Sequence, residues 1–217
     1  MGVSREVIKS GVSKMKNSEK TKRLVLASLI MAIIAVMGFT PLGYVKLGVI
    51  EVTFLMIPVV IGAATLGMGW GTFFGAVFGV TSFFQCFGYS AFGTALFAIN
   101  PVATFILCLV PRILMGFLSG LIFKAVSKID KTKIASFITA SVSGALLNTA
   151  FFTVAFLMFF RNADLTAAFG INLADMSVIN VIGILVTFNA ILEIVICGVI
   201  GTALSKVVAH FVLKVKN

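Results

Sequence analysis

The stretch Gly67-Met-Gly-Trp-Gly-Thr-Phe-Phe-Gly-Ala-Val-Phe-Gly79 repeats glycine at every fourth position, at 67, 71, 75 and 79, inside an otherwise apolar run. A helix drawn through it carries one bare ridge, against which a second helix can press closely. In water each interior glycine weakens a helix by about 1 kcal/mol relative to alanine. In lipid, stripes of small residues are the usual device for helix packing. The stretch therefore argues for a membrane bundle whose function lies inside it.

The rest of the chain agrees. Of 217 residues, 60% are hydrophobic and 11% charged, and the mean hydropathy is +1.16, a composition foreign to soluble domains. The net charge of +10 does not describe a nucleic-acid-binding face, because 14 of the 17 basic residues sit in three clusters beside hydrophobic runs rather than among polar contact residues. One cluster is Arg5, Lys9, Lys14, Lys16, Lys20, Lys22 and Arg23; the second is Lys124, Lys128, Lys131 and Lys133; the third is Lys206, Lys214 and Lys216. This is the positive-inside pattern, and it also favours anionic lipid headgroups.

Six hydrophobic segments can be drawn, at 24–41, 53–67, 70–87, 99–124, 134–160 and 179–206. A straight crossing takes about 20 residues, so the fourth, fifth and sixth read as full spans and the second and third as short ones, broken, tilted or surrounded by protein. The expected fold is an all-α integral membrane protein, a six-transmembrane-helix bundle. It has a basic cytoplasmic segment at 1–23, a membrane domain at 24–207 and a basic tail at 208–217. With six crossings, all three basic clusters fall on the cytoplasmic side. The opposite end then carries the apolar, glycine-punctuated loop after Pro41, which reads as a lid. It also carries the segment 84–100 with Gln85 and Asn100, and the water-like segment 161–177 with Asp164, Asn172 and Asp175.

Arg112 and Glu193 fall well inside expected spans. A charge at mid-bilayer costs at least about 2.5 to 3.5 kcal/mol on insertion scales, so each must face the bundle interior and meet a partner or a ligand. Arg112 follows Pro111, whose missing N–H frees a carbonyl near the cation. Asn189 and Glu193 are four residues apart and share a helix face. With Asn148 and Asn100 they could supply a guanidinium fork for a carboxylate and amide partners for hydroxyl or amide groups. A structural pair between Arg112 and Glu193, with the asparagines joining helices, is the alternative.

Other chemistry finds little support. Cys86, Cys108 and Cys197 lack the spacing of a zinc site or disulfide framework and read as buried small hydrophobes. His210 has no second histidine to complete a metal site. No P-loop sequence occurs, so ATP hydrolysis must come from partners. No cofactor, metal or catalytic residue is expected, and the chain is not read as an enzyme. An ion-coupled secondary transporter using Glu193 as its proton site stays open as an alternative.

The residues resemble the substrate-capturing S components of energy-coupling factor (ECF) vitamin transporters. The resemblance runs from Leu24 to Val207. It rests on a short first helix with small residues, the Thr40-Pro-Leu-Gly-Tyr loop containing Tyr44, and Ile57-Pro-Val-Val-Ile-Gly-Ala-Ala-Thr-Leu-Gly. It continues through Gly75-Ala-Val-Phe-Gly-Val-Thr-Ser-Phe, Pro111-Arg-Ile-Leu-Met-Gly and Asn189-Ala-Ile-Leu-Glu. It implies a six-helix fold in a bacterial plasma membrane, vitamin binding near the outer face, and docking on a transmembrane coupling protein driven by two ATPases. The substrate-binding set expected from the residues is Arg112, Asn148, Asn189, Glu193, Asn100, Gln85 and Tyr44. The family's Ala-x-x-x-Ala docking patch has its nearest match in Ser28-x-x-x-Ala32, with Ala27 and Ala35 beside it. The Pro-Arg and Thr-Ser-Phe elements are most similar to the pantothenate branch. Riboflavin, pyridoxine, thiamin-precursor and cobalamin members share the scaffold.

Overall fold

The computed structural model describes residues 3–40, 43–47, 50–130, 134–166, 170–186, 189–204 and 207; side chains are described at 19–40, 43–44, 53–130, 134–166, 170, 172–183, 193–204 and 207. Lys131, Lys133, Lys206, His210, Lys214 and Lys216, and the side chain of Asn189, lie outside those described.

Helix α1 (Val3–Gly38) leads to an antiparallel hairpin, β1 (Tyr44–Leu47) and β2 (Ile50–Thr53), and then to α2 (Met56–Leu66) and α3 (Met68–Gln85). Next come α4 (Ala91–Ile99), α5 (Pro101–Val126) and α6 (Ile134–Phe160). A small hairpin, β3 (Asp164–Leu165) with β4 (Ile171–Asn172), runs into a 3-10 turn, Leu173–Asp175. The described residues continue as α7 (Val178–Val186), α8 (Asn189–Ile196) and a π-helical turn at Cys197–Gly201, with helix again at 202–204.

The glycine ridge packs against α5 of the same chain, the most extensive helix pairing among the described residues. The two helices run antiparallel. A Cβ at Gly71 would overlap the Gly116 carbonyl oxygen, one at Gly75 the Arg112 carbonyl oxygen, and one at Gly79 would come within 2.9 Å of the Cys108 carbonyl oxygen. Gly67 is not part of the ridge. It has φ +105° and forms the tight turn between α2 and α3, a conformation that glycine adopts at little steric cost.

Helix α2 is buried on nearly every side, from Met56 to Ala64 and again at Leu66. Its 11 residues extend only about 16 Å, far short of the hydrocarbon core, and surrounding protein accounts for its apolar composition. Around it, Leu26, Ala27, Ile30 and Ile34 of α1 join Phe74, Phe78, Met115, Ala140 and Ala145 in the main core. A second cluster caps the other end of α5 and α6, with Leu96, Leu107, Phe156, Phe160, Leu165 and Leu173. There Arg161 ties the 3-10 turn to the end of α6 by donating to the carbonyls of Leu173 at 2.6 Å and Met176 at 2.7 Å.

Among the described residues, three helical stretches are long and apolar enough to cross a membrane: Glu19–Gly38, Pro101–Val126 and Ile134–Phe160. Large apolar side chains cover the outside, among them Val102, Met158, Ile179 and Val199. Such a surface would be an aggregation liability in water and is solvated in lipid. The described parts of the sixth segment include α7, α8 and the π turn, and the first segment overlaps one of the three long helices. Segment 84–100 is largely helical, because Ser90 Oγ accepts from the Gly93 N–H at 3.0 Å and starts α4 there.

Candidate substrate site

The site begins with a proline. Pro111 lies inside α5 and has no N–H to give to the carbonyl of Leu107, four residues earlier. Arg112 fills that vacancy, its Nη1 donating to the Leu107 oxygen at 2.8 Å. The guanidinium is buried between two rings, 5.0 Å from the centroid of Phe152 on α6 and 5.4 Å from that of Phe78 on α3, where the negative faces of the rings attract it. Its Nε has no hydrogen-bond partner among the described residues. A buried donor left in that state costs about 1 to 3 kcal/mol, more when charged.

Glu193 enters from α8 and is 3% exposed. Its Oε1 accepts from the Thr53 N–H at 3.2 Å, and its Oε2 from the Thr149 hydroxyl at 3.3 Å. Asn148, adjacent on α6 and buried, also interacts with this carboxylate, while its Oδ1 finds no donor. Thr153, one turn further along, has a buried hydroxyl without a partner. The Arg112 and Glu193 charges act on one another electrostatically, yet each takes its hydrogen bonds elsewhere, so the direct structural pair is not formed. Unpaired buried donors and acceptors beside two opposite charges suit a ligand that carries both a carboxylate and hydrogen-bonding groups.

Of the sequence candidates, Arg112, Asn148 and Glu193 are brought together, and Asn189 is on α8 one turn before Glu193. The other three have local tasks. Tyr44 OH is 2.8 Å from Ser82 Oγ, tying the hairpin to α3. The Gln85 side chain donates to the Gly38 carbonyl at the end of α1. Asn100 is exposed and caps α5, its Oδ1 accepting from the Ala103 N–H at 3.0 Å.

Sequence reasoning missed Phe78, Phe152, Thr53 and Thr149. The phenylalanines could not be singled out among 22, and a backbone N–H leaves no mark on a sequence. Around the docking match, Ser28 and Ala32 are both exposed, and Ser28 returns its hydroxyl to the Leu24 carbonyl at 3.0 Å, leaving a small surface with no unmet donor. Ala35 is half-buried, and Ala27 faces inward, packed in the main core. The three cysteines form no disulfide and are buried, with Sγ of Cys86 and Cys108 3.9 Å apart.

Long apolar helices and a lipid-like exterior, with two charged side chains buried inside, define a membrane protein. The chain belongs to the ECF transporter substrate-specific component family, whose model matches residues 22–205. Membership implies a small-molecule substrate and partnership with the coupling and ATPase subunits of such a transporter. No curated protein matches the chain.

Proposed function

We propose that this chain captures a vitamin with a carboxylate, most simply pantothenate, and delivers it to a coupling protein driven by two ATPases. The observation that carries the ligand's charge is the Arg112 guanidinium, held between Phe78 and Phe152 with Nε unpartnered. A carboxylate is its best complement, because the planar fork offers two parallel donors. Asn148 Oδ1 and the Thr153 hydroxyl suit the ligand's hydroxyl and amide groups, with Asn189 and the remaining acceptor sites of Glu193 completing the set. In this reading β1 with β2, and β3 with β4, close the outer end of the bundle, and both termini are cytoplasmic, six crossings bringing every basic cluster to that side. Ser28 and Ala32 form the lipid-side surface on which the coupling protein docks.

Mass spectrometry of the small molecule that co-purifies with the detergent-solubilised protein tests the ligand. Pantothenate is expected. Riboflavin, pyridoxine, cobalamin or a thiamin precursor would replace the vitamin and keep the transporter subunit. Uptake by the chain reconstituted alone would instead make it an ion-coupled transporter, since the proposed subunit binds alone and transports only with its coupling module.

A further inference from the structure

The outer hairpin is fastened through one cross-strand pair. Tyr44 stands opposite Thr53, and the Phe54 N–H donates to the Gly43 carbonyl at 2.9 Å. The Tyr44–Thr53 pair is therefore one that exchanges no backbone hydrogen bonds. The Thr53 N–H points away from β1 and, buried as Thr53 is, needs an acceptor from outside the hairpin. Glu193 Oε1 is that acceptor at 3.2 Å. On the other strand Tyr44 OH reaches Ser82 of α3 at 2.8 Å. A single rung is thus held from both sides.

Glu193 does more than meet one N–H. Its second oxygen accepts from Thr149 on α6 at 3.3 Å, so one side chain on α8 joins the hairpin to α6. β2 packs against α8 at the same place. Packing alone does not call for a charge here: an apolar side chain of similar length would fill the space and leave the Thr53 N–H unpaired. The geometry points to Glu193 as the positioning residue that holds the outer hairpin against the bundle, through the Thr53 amide and the Thr149 hydroxyl together. A carboxylate has about four acceptor sites, and these two bonds leave room for a ligand group. Both bonds run between protein groups, so the fastening does not depend on which vitamin is bound.

Hydrogen exchange read by mass spectrometry on ligand-stripped protein in nanodiscs tests this, comparing Glu193→Gln with Glu193→Met. Glutamine keeps an acceptor for Thr53 and can still bond Thr149; methionine keeps the volume and offers neither. The peptide around Thr53 should exchange about tenfold or more faster in Glu193→Met, and within a few-fold of wild type in Glu193→Gln, as expected for losing a hydrogen bond to a charged group. Helix α5 should be unchanged in both. Equal protection in the methionine variant, equal loss in the glutamine variant, or uniform loosening that includes α5 would each overturn the assignment. The last would make Glu193 a residue of bundle folding.

Discussion

Arg112 Nη1 donates at 2.8 Å to the carbonyl of Leu107, the acceptor that Pro111 leaves without its helical donor. The proline thus orients the cation beside it. Replacing Pro111 with alanine restores the backbone N–H and makes the Arg112 bond redundant. Since an interior proline costs a helix about 3 kcal/mol, Pro111→Ala should raise thermal stability. It should also release Arg112 and weaken ligand binding by about tenfold, as expected for a hydrogen bond to a charged group. Unfolding and titration on the same preparation check both halves. A more stable protein with unchanged affinity would make the proline incidental to the site.

The seat of Arg112 also depends on Gly75, where any side chain would strike the Arg112 carbonyl. Gly75→Ala should destabilise the bundle by about 1 to 3 kcal/mol, the usual cost of overpacking, and should weaken binding with it. Gly69 has nothing within 4 Å of a built Cβ, so Gly69→Ala should be neutral or slightly stabilising. Denaturation in detergent separates the two. Equal tolerance at both positions would mean that the contact between α3 and α5 is looser than its geometry indicates.

Ser28 and Ala32 present small, satisfied side chains to the lipid side of α1. Tryptophan at both should leave ligand binding in detergent nearly intact and abolish ATP-driven uptake in proteoliposomes containing the whole complex. Normal uptake by that double variant would move the docking surface elsewhere.

Cysteine introduced at Lys131 and at Asp175 should react with a membrane-impermeant maleimide from opposite sides. The native cysteines, all buried, should contribute little background. Labelling of both positions from outside would contradict the six-crossing topology.

The membrane class, the helix-packing role of Gly71, Gly75 and Gly79, and the two interior charges were all legible in the sequence, because hydropathy and small-residue spacing act locally. The proximity of Pro111 and Arg112 already carried the freed carbonyl. What was not legible depends on tertiary placement. Gly67 is identical in sequence to its neighbours in the repeat, and only its positive φ separates turn from ridge. Asn100 and Asn148 are the same residue type, yet one caps an exposed helix end and the other lies beside Glu193. The π turn at Cys197–Gly201 was hidden by continuous hydrophobicity, which does not distinguish a regular α-helix from one that carries a π turn.

The central claim is that Arg112 clamps a carboxylate. Calorimetric titration of the wild type with pantothenate and with its uncharged alcohol analogue, repeated with Arg112→Lys and Arg112→Met, tests it most directly. The acid should bind at least about tenfold more tightly than the alcohol, a charged hydrogen bond being worth about 1.5 to 3 kcal/mol. Lysine should lose affinity because the planar fork is gone, and methionine should lose more. Equal binding of acid and alcohol by the wild type would contradict the clamp.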